Sequence, residues 1–110
     1  MTADELKTAL VALCDDVKTE TDKKSGDEDL GKLISRADSL AEEAIKAGEK
    51  NYITAFWHMA SCAALVKGDT QLAVDYAERM LKLTPCEVFE GHLEICRDSD
   101  AHRRKREQKT

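Results

Sequence analysis

Histidine and cysteine residues near the end of the chain have a spacing that could hold a metal ion. Cys86, His92 and Cys96 follow the pattern C-x5-H-x3-C, and the last two would share one side of a helix. Thiolate and imidazole are the ligands that Zn²⁺ prefers. No fourth ligand is obvious in the sequence, although His102 could reach the same place. The alternative is that His92 and Cys96 line the inner side of a packed helix, and the sequence favours this alternative.

A second pair, His58 and Cys62, is also spaced for one side of a helix and could form a Cys–His nucleophile. Alanine and methionine surround the pair, and no acidic residue lies nearby in the sequence to orient the histidine, so packing is again the favoured interpretation. The chain also has no Gly-rich phosphate-binding loop. We therefore expect no catalytic residue, no metal site and no cofactor, and we predict that the protein is not an enzyme.

Five segments have apolar residues at helical spacing, and none alternates in the manner of a β-strand. Thr2 is predicted to cap the first helix in a capping box with Glu5. Gly48 and Gly68 are predicted to end the second and third helices. The segment from residue 19 to 31 is densely charged and predicted to be a mobile loop. The predicted helices cover about residues 3–20, 29–47, 50–67, 69–83 and 86–98.

The 110 residues are enough for one domain, and their charge is unevenly distributed. Residues 1–100 carry a net formal charge of −9, whereas residues 101–110 carry +4. We predict a helical domain over residues 1–98 and a basic tail over 99–110 that is either disordered or a helical extension. The acidic body should repel nucleic acid and anionic membranes, so only the tail could bind nucleic acid. The alternatives for the tail are a nuclear localisation segment, a solubilising terminus or a partner for the acidic surface. The absence of a secretory signal pattern favours a cytoplasmic location.

One stretch, "TAFWHMASCAALVKGDTQLAVDYAERMLKLTP", resembles a tetratricopeptide (TPR) repeat, a helix–turn–helix unit of 34 residues. Small residues at Ser61 and Ala73 would let two helices approach to about 8–9 Å. The sequence departs from the repeat pattern at Ala64, at the pair Tyr76 and Ala77, and at Met80. The residues that carry the resemblance are Trp57, Ser61, Gly68, Asp69, Ala73, Leu81, Leu83 and Pro85.

A weaker second repeat is indicated by the segment "ADSLAEEAIKAG", which is similar to the second helix of the first match. Ala37 and Ala73 are 36 residues apart, close to the period of 34 residues in the family. The predicted fold is thus all-α, with five helices in antiparallel hairpins that form about two degenerate TPR-like repeats and a C-terminal capping helix. Trp57 is expected in the core between the repeats.

The resemblance implies that the protein binds another protein, as an adaptor or a small chaperone, through a short segment of the partner. Repeats of this family bind peptides on a surface formed chiefly by the first helix of each pair. An alternative is an inhibitor or immunity-type protein whose acidic surface blocks a basic site on a target, such as a nucleic-acid-binding enzyme. A third possibility is a regulator that uses its tail to bind nucleic acid. The residues expected to face the partner are Asn51, Tyr52, Thr54, Ala55, His58 and Cys62.

Overall fold

The computed structural model describes the backbone of residues 1–23 and 27–108, and the regular structure in these ranges is entirely α-helical. This confirms the predicted all-α class. Consecutive helices from α2 onward are joined by connections of two or three residues, which reverse the direction of the chain. The helices are α1 (Ala3–Asp22), α2 (Asp27–Ala47), α3 (Lys50–Lys67), α4 (Thr70–Leu83) and α5 (Glu87–Gln108).

Side-chain caps fix the starts of two helices. Thr2 Oγ1 accepts a hydrogen bond from the backbone N–H of Glu5 at 3.2 Å, and Glu5 Oε1 accepts one from the N–H of Thr2 at 3.0 Å. The predicted capping box is therefore confirmed. Asp69 caps α4 in the same way, because its Oδ1 accepts from the N–H of Leu72 at 3.3 Å. Each cap satisfies backbone donors that the helix itself leaves unpaired.

Glycines with positive φ end α2 and α3, as predicted. Gly48 has φ 71° and Gly68 has φ 91°, a conformation that costs glycine little because it has no Cβ. After α2, the N–H of Gly48 donates to the carbonyl of Ile45 at 3.1 Å, and the N–H of Glu49 donates to that of Ala44 at 3.0 Å. The same two bonds recur around Gly68. Both ends are thus Schellman motifs, which satisfy the last carbonyls and turn the chain back.

The first connection is shorter than predicted. Helix α1 continues to Asp22 and α2 begins at Asp27, so both helices extend into the predicted loop from 19 to 31. In α2, Leu30 is 2% exposed, and its burial holds the first turn of the helix against the core. The predicted mobile loop includes residues 24–26, which lie outside the described residues.

Helix α5 continues to Gln108, well beyond the predicted end near residue 98. The apolar pattern stops at Cys96, but ion pairs between residues four apart extend the helix, including Arg104 with Asp100 at 3.0 Å. The hydroxyl of Thr70 in α4 donates to Asp100 at 2.8 Å, and Arg103 Nε donates to that hydroxyl at 2.7 Å. Of the two alternatives predicted for the tail, the structure shows the helical extension, which continues through Gln108. Flexibility of the tail relative to the domain stays a prediction.

The helices form two layers. Helix α1 packs on α3, and α3 meets α5 through His58 and His92, so the odd-numbered helices lie side by side. On the other layer, the hydroxyl of Tyr76 in α4 donates to Asp38 of α2 at 3.1 Å. Burial, with the negative charge of Asp38 as the second cause, raises the pKa of Tyr76 to about 12. Helix α3 therefore lies at the centre of the molecule, in contact with helices of both layers.

Small residues set the spacing between the two layers at α3 and α4. Ser61 and Ala73 are both fully buried, and the Ser61 hydroxyl donates to the backbone carbonyl of Ala73 at 2.9 Å. A side-chain bond this short to a backbone atom requires the two helix axes to lie close together. The predicted contact between Ser61 and Ala73 is confirmed. Trp57, expected in the core, is only half-buried and packs against the core from its edge.

Among the described residues, no helix combines the length and the apolar character that a membrane span needs.

Candidate functional site

Most of the residues predicted to face a partner lie along one side of α3. Asn51, Ala55, His58 and Cys62 follow the spacing i, i+4, i+7 and i+11, which keeps them on a single side of a helix. Asn51 is exposed, and the other three are half-buried. The buried residues of α3, such as Phe56 and Ala60, occupy the opposite side. This side of α3 is therefore accessible between α1 and α5.

The other two predicted residues are placed differently. Thr54 is only 6% exposed, and its hydroxyl donates to the carbonyl of Asn51 at 3.1 Å within the same helix. Its side chain is therefore enclosed and cannot contact a partner without rearrangement. Tyr52 is half-buried and packs against the core from the side of α3. Sequence spacing alone could not separate Thr54 from its neighbours, because Thr54 lies on the boundary between the two sides of the helix.

The structure brings the histidines and cysteines of two helices together. The rings of His58 and His92 are in edge-to-face contact, with centroids 4.7 Å apart and an interplanar angle of 88°. Ligand atoms of His58, Cys62 and His92 lie within 4.8 Å of one another. Cys96 Sγ lies 3.5 Å from Nε2 of His92. We call these four residues the His–Cys cluster: His58 and Cys62 from α3, His92 and Cys96 from α5.

Ser61 determines which nitrogen of His92 carries the proton. A serine hydroxyl has one proton to donate, and a backbone carbonyl can only accept, so the contact with Ala73 uses that proton. The 2.8 Å contact between Ser61 Oγ and His92 Nε2 must then be donated by the imidazole N–H. Cys96 Sγ lies 3.6 Å from the same oxygen. As a result, Nδ1 of His92 is the unprotonated nitrogen, with a lone pair available for a ligand.

The cluster is electrically neutral at neutral pH. Burial lowers the pKa of His58, and burial together with the nearby His58 lowers the pKa of His92. Burial raises the pKa of the Cys62 thiol, as it raises that of Cys96. A nucleophilic cysteine needs a lowered pKa. The surroundings therefore disfavour the interpretation of His58 and Cys62 as a nucleophile pair, whereas neutral imidazole is the form that binds metals.

Sequence reasoning grouped these residues differently from the structure. It combined Cys86 with His92 and Cys96, and treated His58 with Cys62 as a separate pair. Among the described residues, the group of ligand atoms that lie within 4.8 Å of one another includes His92 but not Cys86, Cys96 or His102. One feature of the sequence could have indicated this grouping. The motif H-x3-C occurs twice, and its histidine and its cysteine each recur after 34 residues. This interval is the TPR period, which predicts equivalent positions on successive odd-numbered helices.

Each helix of the layer formed by α1, α3 and α5, which carries the cluster, has exposed apolar side chains. Val88 is 74% exposed and Ile95 59%, and with His92 they follow the helical spacing i, i+4 and i+7 on α5. Val11 of α1 is 55% exposed and Val66 of α3 is 49% exposed. We call this surface the odd-helix face, defined by Val11, His58, Cys62, Val66, Val88, His92 and Ile95.

A concave region lies where the basic end of α5 passes the turn between α3 and α4. The cleft has a volume of about 640 Å³. Within it, Arg103 is already paired with Asp100 at 3.1 Å and with Glu107 at 2.8 Å. Part of the basic charge is thus neutralised by acidic residues of the same helix. The lining residues are Leu65, Gly68, Thr70, Ser99, His102, Arg103, Lys105 and Arg106.

Comparison of the chain with protein-family models, with curated proteins and with solved structures gives no match. The resemblance to TPR repeats therefore stays a prediction from the sequence.

Proposed function

We propose that the protein is a small protein-interaction module that binds a short segment of a partner on the odd-helix face. The observation that supports this most is the exposure of Val11, Val66, Val88 and Ile95 on helices of a single layer. Exposed apolar side chains that gather on one surface are typical of protein-binding sites. The TPR-like resemblance gives the same surface, because α1 and α3 would be the first helices of the two repeats and α5 the cap.

The arrangement of the side chains on this surface favours a partner segment that is a single helix or a single extended strand. The predicted residues Ala55, His58 and Cys62 are half-buried in the central helix, between the more exposed apolar side chains of α1 and α5. A single helix or extended segment with apolar side chains on one side would cover this strip.

The test compares two variants whose substitutions are similar but lie on different layers. Val88→Ser with Ile95→Ser removes apolar area from the odd-helix face at positions that are already exposed, so the fold should persist. Ile45→Ser is the control, because Ile45 is 46% exposed but belongs to α2. A partner is identified by affinity capture and mass spectrometry and then purified. We expect the double variant to weaken its binding at least tenfold and the control to leave binding unchanged.

Ionic strength separates this proposal from the acidic-inhibitor alternative. Binding by apolar contact should change little between low and high salt, whereas an acidic surface that blocks a basic site should lose affinity steeply. Unchanged affinity of the double variant, combined with a steep salt dependence of the wild type, would replace the proposed function by the alternative.

A further inference from the structure

Two identical short motifs meet at the contact between α3 and α5. His58 and Cys62 form one H-x3-C pair, and His92 and Cys96 form the other. Residues four apart project from the same side of a helix, so the imidazole and the thiol of each pair can bind the same ion. The contact between His58 and His92 shows that the two pairs face each other. The odd-helix face thus carries two imidazoles and the thiol of Cys62, and the second thiol, that of Cys96, is buried next to His92.

The distances between three of the four candidate ligands are close to those of a tetrahedral metal site. Zn–N bonds of about 2.0–2.1 Å and Zn–S bonds of about 2.3 Å place neighbouring ligand atoms roughly 3.3–3.8 Å apart. In the structure the ligand atoms of His58, Cys62 and His92 lie within 4.8 Å of one another. A contraction of about 1 Å, within reach of side-chain rotation, would bring the set to the distances of a zinc site. Cys62 and His58 are half-buried, so an ion can reach the site from solvent.

We propose that His58, Cys62, His92 and Cys96 bind a single divalent cation of the zinc class with tetrahedral geometry. Two sulfurs and two nitrogens are the donor set that selects Zn²⁺ over harder cations such as Mg²⁺. Each thiol loses its proton to solvent as its sulfur–metal bond forms, and the imidazoles bind through an unprotonated nitrogen. The ion links α3 to α5 beneath the odd-helix face.

Ser61 is positioned to orient one of the ligands. Its hydroxyl oxygen accepts a hydrogen bond from the Nε2–H of His92, and its O–H donates a hydrogen bond to the carbonyl of Ala73. Metal-binding histidines usually donate their second ring N–H in this way, which fixes the ring and raises its basicity. His92 would then bind the ion through Nδ1. Cys96 Sγ lies outside the 4.8 Å group, on the Nε2 side of His92, so it must leave its 3.6 Å contact with Ser61 and rotate toward the ion to become the fourth ligand.

The experiment is a titration of the reduced, metal-free full chain with Co²⁺, followed by displacement with Zn²⁺. Tetrahedral cobalt gives intense visible bands, and each bound thiolate adds near-ultraviolet charge-transfer absorption. We expect one cobalt ion per chain and a charge-transfer intensity that falls by about half in Cys62→Ser and in Cys96→Ser, because one of two thiolates is lost. Affinity for Zn²⁺ should fall in both variants by about 100-fold or more.

Two further cysteines provide matched controls. Cys86 lies outside the cluster, and Cys14 contacts Met59 at 3.3 Å on the α1 side of α3. Cys86→Ser and Cys14→Ser should bind cobalt like the wild type. The proposal is overturned if the wild type binds no stoichiometric cobalt, or if Cys62→Ser or Cys96→Ser leaves the spectrum unchanged.

Alkylation gives a second readout that does not depend on the folding of any variant. In the wild type, Zn²⁺ should slow the reaction of Cys62 with iodoacetamide at least tenfold and leave that of Cys86 unchanged. Equal reactivity of Cys62 with and without Zn²⁺ would also overturn the proposal. Neither measurement uses a protein partner, so metal binding and the proposed interaction function can fail separately.

Discussion

The two sides of α3 are held to their neighbours by different kinds of contact. On the α1 side, Leu6 and Leu13 are fully buried, and the lateral contact is between two sulfur-containing side chains, Cys14 and Met59. On the α5 side, the contacts run between His58 and His92 and between Ser61 and Cys96. The junction of α1 with α3 thus depends mainly on burial, and the junction of α5 with α3 depends largely on polar groups with defined directions.

This difference separates a structural junction from one that can carry chemistry. Burial of apolar surface is strong but has no preferred direction, so it tolerates many arrangements of similar volume. Hydrogen bonds in a partly buried site depend on distance and angle, and a donor in such a site can exchange one acceptor for another. The α3–α5 junction can therefore respond to a metal ion or to pH, whereas the lateral contact at the α1–α3 junction joins the thiol of Cys14 to the thioether of Met59.

The largest expected effect is on the α1 side. Leu13→Ala removes a fully buried side chain and should lower the free energy of unfolding by about 2–5 kcal/mol, measured by urea denaturation. Val11→Ala is the control, because Val11 is 55% exposed, and it should change stability by less than about 0.5 kcal/mol. Equal losses in the two variants would mean that α1 is not attached through the buried side of the helix.

A smaller effect is expected where the hydrogen bonds of the α5 side converge. Ser61→Ala removes the acceptor for His92 and the donor to Ala73, and should cost about 1 kcal/mol of unfolding free energy. Ser39→Ala, at an exposed position of α2, is the matched control and should be nearly neutral. No loss in Ser61→Ala, in urea denaturation of metal-free protein, would contradict the assigned hydrogen-bond network.

The smallest expected effect is a pH dependence of the α5 side. Burial lowers the pKa of His58 and His92 below the value of 6.5 for an unperturbed histidine, so the unfolded chain binds protons first as the pH falls. Stability should be complete above about pH 6.5 and decrease below it. The urea midpoint of metal-free protein should thus be lower at about pH 5.5 than at about pH 7.5.

Two variants identify the groups that cause this dependence. His58→Gln with His92→Gln should reduce the difference between the two pH values, because the glutamines do not titrate. His102→Gln, at an exposed position of α5, should retain it. An unchanged difference in the double variant would assign the dependence to other groups.

Local signals in the sequence predicted the helices and one important contact between them. The capping box at Thr2 and the glycine ends at Gly48 and Gly68 depend on residues within one turn, and all three are confirmed. The contact between Ser61 and Ala73 was predicted because small side chains on facing helices permit close approach. These features need no knowledge of how distant parts of the chain pack.

Features that depend on packing between distant segments were missed. The length of α5 depends in part on Thr70, which bonds to Asp100 from another helix. The burial of Thr54 depends on how its neighbours enclose it. The His–Cys cluster needs α3 and α5 side by side, and only the 34-residue recurrence of H-x3-C could have indicated it.

The most direct test of whether the α3–α5 junction is a ligand site is the effect of Zn²⁺ on stability. At free Zn²⁺ about 100 times the dissociation constant, a cation that binds only the folded state raises the free energy of unfolding by about 2.7 kcal/mol. Wild type and Cys86→Ser should show this increase in urea denaturation, and Cys62→Ser, which binds about 100-fold more weakly, should show at most about 0.4 kcal/mol at the same Zn²⁺ concentration. An equal increase in all three proteins, or none in the wild type, would contradict a metal site between the two H-x3-C pairs.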